Sequence, residues 1–223
     1  MPQKKSKKIL IYIFLFLIIG TFNNKNLNKI DIPLINEITV VGLDKKSIEE
    51  LSDNLNFLRV NNVFFLNKAN ISKIISSNNL VENFSVFKGY PSSLYVKIVK
   101  TKFLAQIKKD GNIFFLGSNG KLIKVKNTSD DIPFIFGNFK NENFFKLKIA
   151  IDETNFNYDE IKNLFSFQSG RWDIETKSGL LIKLPRDNFK KSIELFLSLK
   201  EEDNMQKIKK IDLRQFNQVV VNG

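Results

Sequence analysis

Few side chains of this chain could do chemistry, because its 223 residues include no Cys and no His. Thiol nucleophiles, Cys/His zinc sites and His-based acid–base catalysis are therefore excluded. Carboxylates, Lys, Ser and Tyr remain, but the carboxylates fall in adjacent groups. Adjacent acids are typical of a solvated face, whereas acid–base chemistry needs two acids held across a cleft. The composition thus favours a protein that is not an enzyme and predicts no cofactor and no metal. The groups are Glu49 and Glu50, Asp152 and Glu153, and residues 201–203.

The basic charge does not indicate a nucleic-acid partner. The formal net charge is +12, yet 31 of the 35 basic residues are Lys and only 4 are Arg. Proteins that read nucleic acids more often use Arg, whose planar group makes paired contacts with bases and phosphates. No basic cluster is interleaved with exposed aromatic residues. The charge is better explained by a bias towards A/T-rich codons, and we predict no nucleic acid among the partners.

Two arginines are candidates for partner binding. Arg171 precedes the single Trp, so it is either a charged contact on a binding face or an exposed strand residue that covers the Trp172 ring. Trp172 itself is predicted to lie in the core. Asp212 and Arg214 alternate along a predicted strand and share one face, which favours a structural ion pair or turn contact over partner binding. Arg214 nevertheless stays in the candidate set.

The last predicted strand is the strongest candidate for a binding site. Residues 218–221 are short, mainly apolar and near the end of the chain. A strand at a sheet edge presents unpaired backbone groups, to which a partner strand can add. Strand addition there is at least as well supported as a purely structural role. The candidates are Gln218, Val219, Val220 and Val221.

The elements that position these residues begin with a basic tail at 1–8 and an apolar run at 9–22. The basic flank keeps the N-terminus in the cytoplasm while the rest crosses. As a helix, the 14 apolar residues rise only about 21 Å against a hydrocarbon core of roughly 30 Å, which favours a signal peptide. No Ala-x-Ala-like cleavage site follows, however. The residues alone leave a transmembrane anchor and a cleaved signal open, and the polar, Asn-rich residues 23–34 are predicted to be a linker.

Residues 35–102 predict a unit of strand, helix, helix, strand and strand. The first strand ends at Gly42. Ser47 and Glu50 form a capping box for the first helix, and the second helix begins near Asn70. The last strand is the clearest, because apolar residues alternate along it. Its inward positions are Leu94, Val96 and Ile98.

Residues 103–223 predict a larger and mainly antiparallel β unit with one or two helices. Hairpin signals recur along it, as Asp-Gly and Ser-Asn-Gly turns between short apolar runs. The predicted elements are a meander around the turns at 110–111 and 118–120, an extended piece at 132–137, a stretch at 143–151 that fits a helix or a strand, a hairpin at 172–184, a helix at 185–200, and strands at 208–213 and 218–221.

Four stretches carry a resemblance to a known family. Residues 35–42 (INEITVVG) and 91–100 (PSSLYVKIVK) are similar to the first and last strands of a POTRA domain. The hairpin that starts with GRWDI at 170 and ends with KLP at 185, and KIDLR at 210–214, are more specific. Together with the basic tail and apolar run, this layout resembles the FtsQ/DivIB family of bacterial cell division proteins across nearly the whole chain.

The resemblance implies an α+β protein with an N-terminal membrane helix, a POTRA domain (β-α-α-β-β) at 35–102 and a β domain at 103–223. It implies an uncleaved single-pass anchor in the inner membrane, with the N-terminus in the cytoplasm and the bulk in the periplasm, at the division septum. Members of this family are scaffolds of the division machinery, link early to late division proteins and help to control septal peptidoglycan synthesis. They bind a complex of FtsB and FtsL through the C-terminal β unit, and the POTRA domain is associated with recruitment.

Two other classes stay open at this stage. The first is another periplasmic POTRA-containing assembly or secretion factor with a cleaved signal peptide, although a chain of 223 residues is too short to add a long β-barrel. The second is a periplasmic enzyme that acts on the cell wall through two carboxylates from separate elements. N-terminal sequencing of the mature protein separates the anchor from the cleaved signal.

Overall fold

The computed structural model describes residues 5–22, 32–124, 131–200, 208–215 and 218–222. Its first helix, α1, covers Lys5–Phe22. Among the described helices, none is both long enough and apolar enough to cross a membrane. Residues 1–4 of the predicted basic tail and 23–31 of the predicted linker lie outside the described residues.

The first unit has the predicted order of strand, helix, helix, strand and strand. Its elements are β1 (Glu37–Val41), α2 (Lys45–Leu55), α3 (Lys68–Ser77), β2 (Val81–Gly89) and β3 (Ser93–Lys100). β3 lies in the middle of this three-stranded sheet, parallel to β1 and antiparallel to β2. Leu94, Val96 and Ile98 are buried while the residues between them are exposed, as their alternation predicts.

Both helices of this unit begin earlier than predicted. The carboxylate of Asp44 caps α2 by accepting a hydrogen bond from the Ser47 N–H at 3.1 Å, and the Ser47 hydroxyl also donates to it. The predicted capping box of Ser47 with Glu50 is therefore wrong, because Ser47 already lies in the first turn. Asn67 caps α3 and accepts from the Ala69 N–H at 2.9 Å.

As far as the structure describes it, the second unit is a nine-stranded sheet with two α-helices. Its strands are β4 (Phe103–Lys109), β5 (Asn112–Gly117), β6 (Leu122–Ile123), β7 (Phe134–Phe136), β8 (Ile161–Ser166), β9 (Trp172–Thr176), β10 (Leu181–Lys183), β11 (Lys210–Asp212) and β12 (Val220–Asn222), and its helices are α4 (Asn141–Asp152) and α5 (Phe189–Lys200). The spatial order is β12-β11-β10-β9-β8-β7-β4-β5-β6.

The sheet is more mixed than the sequence predicts. Five of its eight neighbouring pairs are antiparallel, but β4–β7, β7–β8 and β10–β11 are parallel. Parallel neighbours need crossovers. In two of these pairs the crossover contains a helix, α4 between β7 and β8 and α5 between β10 and β11, whereas β5 and β6 lie in the chain between β4 and β7. β8 was not predicted at all, and the stretch at 143–151 lies in the helix α4.

One face of this sheet holds the core. Alternate residues of neighbouring strands stand in register there and form an apolar row, namely Ile135, Leu164, Ile174, Ile182 and Ile211. All five are buried together with Phe144 of α4 and Phe196 of α5. Trp172 lies on the same face with no solvent exposure, its ring centroid 5.8 Å from that of Phe139. The prediction that Trp172 belongs to the core is confirmed.

The two units have separate hydrophobic cores and meet through polar contacts. The carboxylate of Glu82 accepts hydrogen bonds from the Thr101 hydroxyl at 2.9 Å and the Ser118 hydroxyl at 2.7 Å. The side-chain amide of Asn119 donates to the carbonyls of Asn79 and Val81, both at 2.9 Å. The junction is therefore a hydrogen-bond network and not a shared apolar interface.

Candidate functional site at the sheet edge

β12 ends the nine-stranded sheet and, among the described residues, pairs only with β11. Val220 and Val221 are 50% and 44% exposed. Gln218 and Val219, which were predicted to open the strand, precede it instead: Gln218 is exposed, and Val219 is half-buried against the second core. Only part of the predicted set of edge residues therefore lies in the edge strand.

The backbone register identifies which residue of β12 directs its N–H and C=O groups to the open edge. Two hydrogen bonds show which backbone groups at the ends of β11 point towards β10. The Lys209 carbonyl accepts from the Leu181 N–H at 2.9 Å, and the Leu213 N–H donates to the Lys183 carbonyl at 2.9 Å. Since backbone groups alternate between the two edges of a strand, Asp212 points the other way, towards β12. Asp212 pairs with Val220. The N–H and C=O of Val221 therefore point to the open edge, while those of Val220 pair within the sheet.

A charged row leads to this edge on the face opposite the core. Asp173, Lys183, Asp212 and Val220 stand in direct register on four neighbouring strands. Cross-strand partners lie on the same face of a sheet. The side chains on one side of β12 therefore continue a row of alternating charge, whereas those on the other side continue the apolar row of the core.

Arg214 and Asp212 form a tight ion pair beside the edge. The guanidinium Nε of Arg214 lies 2.8 Å and 3.0 Å from the two carboxylate oxygens, and the Arg214 backbone N–H donates to Asp212 Oδ1 at 3.1 Å. The hydrogen bonds from the Arg214 side chain lower the pKa of Asp212, and they raise the pKa of Arg214 in turn. The contact of these two residues, which the sequence favours as an ion pair or a turn contact, is an ion pair in the structure.

Arg171 does not cover Trp172, which lies on the opposite face of the sheet. Its guanidinium carbon lies 4.0 Å from the centroid of the Phe167 ring. Arg171 Nε is 3.8 Å from Asp173 Oδ1, a distance suited to an ion pair but too long for a hydrogen bond. Neither atom has a hydrogen-bond partner in the described part of the chain. The Arg171 side chain is 29% exposed, so part of this charge is accessible.

Asp173 is a buried acid under Arg171. Burial raises the pKa of Asp173, although the positive charges of Arg171 and Lys183 oppose this shift. The side chain is only 6% exposed and lies in the row that leads to β12. Sequence reasoning missed this residue, because its burial depends on pairing with β8 and β10.

An aromatic ladder extends the same face away from the edge. Phe136 stands opposite Phe165, with ring centroids 5.3 Å apart and planes within 17°, and Phe134 is 4.7 Å from Phe136. Phe165 pairs in turn with Asp173. The alternation of Phe134 and Phe136 was the only signal for this ladder in the sequence, since its partner strand β8 was not predicted.

The arrangement suits recognition of an extended peptide. Val221 offers a backbone donor and acceptor, and Arg171 and Arg214 carry positive charge on the adjoining face. Next to Arg214, a cavity of about 460 Å³ is lined by Arg186, Lys191 and Leu213, among others. Within the described ranges, no cluster of His, Cys, Asp or Glu could hold a metal ion.

Comparison with known protein families identifies a match for most of the second unit. Residues 105–214 match the family model described as cell division protein FtsQ/DivIB, C-terminal. This range begins in β4 and ends at Arg214, so it contains Asp173, Lys183 and Asp212 of the charged row and stops short of β12.

Curated relatives are similar over a longer part of the chain. Cell division protein FtsQ of Rickettsia bellii is 23% identical over 172 residues, which are 75% of this chain and 64% of the relative. Cell division protein DivIB of Clostridium botulinum (strain Hall) is 26% identical over 136 residues, 60% of this chain and 51% of the relative. The chain thus spans about half to two thirds of the length of these relatives.

The solved structure of the major extracytoplasmic domain of DivIB from Geobacillus stearothermophilus is 14% identical, with a TM-score of 0.35. The match covers 45% of this chain and 91% of that one.

Proposed function

Because this chain belongs to the FtsQ/DivIB family of cell division proteins, we propose that it is a non-catalytic scaffold of the division machinery. In this role it links early to late division proteins and helps to control the assembly of septal peptidoglycan synthesis. The observation that supports it best is the match of residues 105–214 to the family, joined to an edge strand whose outer side is free among the described residues. The match favours division over the alternative of another POTRA-containing assembly factor.

The proposed partner site is the open edge of β12, where a segment of FtsB, in complex with FtsL, adds as a further strand. Backbone hydrogen bonds to Val221 supply affinity, and the side chains of Val220 and Val221 select the partner on the two faces. Gln218 and Val219 lie just before the strand and border the start of the added segment. Arg171 and Arg214 attract acidic partner residues, because both carry positive charge that is partly exposed.

The N-terminal half supplies attachment and recruitment in this proposal. The first unit acts as a POTRA domain and binds other division proteins. The apolar run at 9–22, within α1, holds the chain in the inner membrane, with the basic tail in the cytoplasm and the bulk in the periplasm at the septum. Support for the orientation comes from the lysines that precede the run. An intact N-terminus in the membrane fraction is the expected result, and a mature protein that starts near residue 23 would exclude the anchor.

The edge is tested by placing proline at two neighbouring positions of the full-length chain. Val221→Pro removes the outward N–H and leaves the pairing of Val220 with Asp212. We expect it to weaken capture of the FtsB–FtsL complex by about tenfold or more, the value of one or two backbone hydrogen bonds. Val220→Pro instead removes an N–H that pairs with β11, so it should loosen β12 itself. Binding is measured by titrating the purified complex onto the immobilised chain.

The matched control is Val221→Thr, which keeps the backbone donor and the branched shape and should bind within about twofold of wild type. Near-ultraviolet circular dichroism and Trp172 fluorescence report whether each variant is folded, since Trp172 is buried in the core of this sheet. Wild-type binding by a natively folded Val221→Pro chain would exclude strand addition at this edge. The arginine face would then be the next site to test, with Arg171→Gln.

A further inference from the structure

One end of the first unit is where the chain arrives from α1. Leu34 forms an isolated bridge with Asn62, and the Ile35 N–H donates to the Asn61 carbonyl at 2.9 Å. The Asn36 N–H donates to the Ser92 carbonyl at 3.0 Å. These bonds gather residues 34–36, 59–65 and 88–92 at the same end of the unit. We call these three segments the linker end.

Large apolar side chains are exposed at the linker end. Phe64, Phe65 and Tyr90 are 51%, 77% and 62% exposed, and the rings of Phe64 and Tyr90 lie 4.9 Å apart. Leu34 and Val60 add exposures of 54% and 76%. The buried core of this unit contains none of them. Exposed apolar side chains gathered at one end of a unit are typical of a contact with a partner or a membrane.

Basic residues lie within these segments or close to them in the chain. Arg59, Lys68 and Lys88 are exposed, and the Lys88 ammonium lies 3.4 Å from the Phe64 carbonyl. The sequence has no Asp or Glu from 54 to 81 or from 83 to 109. Glu37 borders this end and accepts a hydrogen bond from the Thr39 hydroxyl. Aromatic rings flanked by Lys and Arg are the combination found at membrane–water interfaces, where the rings sit among the headgroups.

The length of the chain keeps the linker end near the end of α1. Twelve residues lead from Phe22 to Leu34, and an extended chain spans at most about 3.6 Å per residue. The linker end therefore lies within roughly 43 Å of the end of α1. The opposite end of the unit, where Val99 is exposed, is about 20 Å further along β3 at 3.3 Å per residue.

We infer that the linker end of the first unit rests on the lipid bilayer, with Phe64, Phe65 and Tyr90 among the headgroups and Arg59, Lys68 and Lys88 beside lipid phosphates. This inference rests on the proposed anchoring by α1, which brings a bilayer within reach of the linker end. The contact orients the first unit on the membrane, so that the opposite end of the unit, which joins the nine-stranded sheet, points away from the surface. A protein partner on the same surface is the competing occupant.

The chain offers a direct test because it contains no Cys. Single-cysteine variants of the full-length chain, Leu15→Cys, Phe65→Cys and Val99→Cys, are labelled with the same fluorophore. Each is reconstituted in liposomes of phosphatidylcholine and phosphatidylglycerol that carry a spin-labelled quencher lipid at headgroup depth. Val99 is the matched control, since it is an apolar residue of the same unit, 53% exposed, far from the linker end.

We expect the quencher lipid to reduce the fluorescence at position 65, because the label there lies at the depth of the quencher, and to leave position 99 nearly unchanged. Quenching at position 65 should weaken when phosphatidylglycerol is omitted, because the basic residues then lose their lipid partners. Equal quenching at positions 65 and 99 overturns the inference and leaves the surface to a protein partner. Position 15 reports the anchor separately, in liposomes whose quencher is carried on the acyl chain: an unquenched label there overturns the anchoring, while the comparison of 65 with 99 still decides the membrane contact.

Discussion

The two units of this protein place their aromatic residues in opposite ways. The buried core of the first unit consists of aliphatic side chains alone, from Ile35 to Ile98. The core of the second unit is filled by large rings, among them Trp172, Phe144 and Phe196, which have almost no exposure. Rings at the linker end of the first unit, such as Phe65 and Tyr90, are exposed at the surface.

The size of each core explains why rings are buried in the second unit and exposed in the first. A sheet of nine strands with helices on one face leaves a wide space to fill, and aromatic side chains bury the most area per residue. A sheet of three strands under two short helices closes with Leu, Ile and Val. Rings that the smaller core does not use remain at the surface, where they are available for the proposed membrane contact. The polar junction around Glu82 and Asn119 keeps the two cores distinct, so each is open to separate perturbation.

The largest effect should follow from removing the ring that fills the second core. Trp172→Ala deletes contacts with Phe139 and Phe144 and should lower the free energy of unfolding by about 3–5 kcal/mol. Circular dichroism during urea denaturation measures it, and Trp172→Phe, which keeps a ring, should lose less. Amide hydrogen exchange in β3 should stay unchanged, and faster exchange there would contradict the separation of the two cores.

A smaller effect should follow in the first core. Val96 is fully buried between β1 and β2, so Val96→Ala should lower the free energy of unfolding of this unit by about 1–3 kcal/mol. Exchange of the β3 amides reports the change. Val99→Ala, at an exposed position of the same strand, is the matched control and should cost a few tenths of a kcal/mol. Equal effects of the two variants would show that β3 does not pack as described.

The smallest effects distinguish two carboxylates of the charged row. Arg214 lowers the pKa of Asp212. The ionised Asp212 carboxylate therefore adds to the free energy of unfolding at neutral pH, and this contribution is lost as the pH falls through the lowered pKa. Asp212→Asn should therefore destabilise at pH 7, by at most about 1 kcal/mol because the pair is partly exposed, and should have little effect in acid.

The pKa of Asp173 is shifted in the opposite direction to that of Asp212. Burial raises its pKa, so folding disfavours its charge once the pH exceeds its ordinary value of 3.8. Asp173→Asn should stabilise the chain at pH 7 by about 1 kcal/mol or less, with the gain disappearing below that value. Thermal denaturation of both variants across pH measures the pair. A destabilised Asp173→Asn at pH 7 would mean that its ion pair with Arg171 outweighs its burial.

Elements of secondary structure could be predicted from the sequence where apolar residues repeat with a clear period. The alternation of Leu94, Val96 and Ile98 in β3 predicted that strand. The stretch at 143–151 was ambiguous because its apolar residues fit both periods, and only contact with α5 and the sheet selects the helix. The pattern of Ser47 and Glu50 predicts the wrong cap, because it does not reveal that Asp44, three residues before Ser47, is a better acceptor for free amides.

The parts of the fold and of the site that could not be predicted from the sequence depend on contacts between distant residues. β8 carries Lys162 and Asn163 within its strand and is stabilised by pairing on both sides, which no local pattern reveals. The parallel pairs of β4, β7 and β8 likewise follow from the crossovers. For the candidate site, the terminal edge and the ion pair of Asp212 with Arg214 could be predicted. The register that buries Asp173 and turns Val221 outward could not, because it is set across four strands.

The register of β12 has a further consequence for any strand that adds to it. Val221 prolongs the apolar row of the core, and Val220 prolongs the charged row, so the two faces of the edge demand different side chains. A partner must therefore alternate apolar and polar residues in a fixed phase. Sliding by one residue would put every side chain on the wrong face, and only slips of two residues preserve the match. The edge thus imposes a reading frame on its partner.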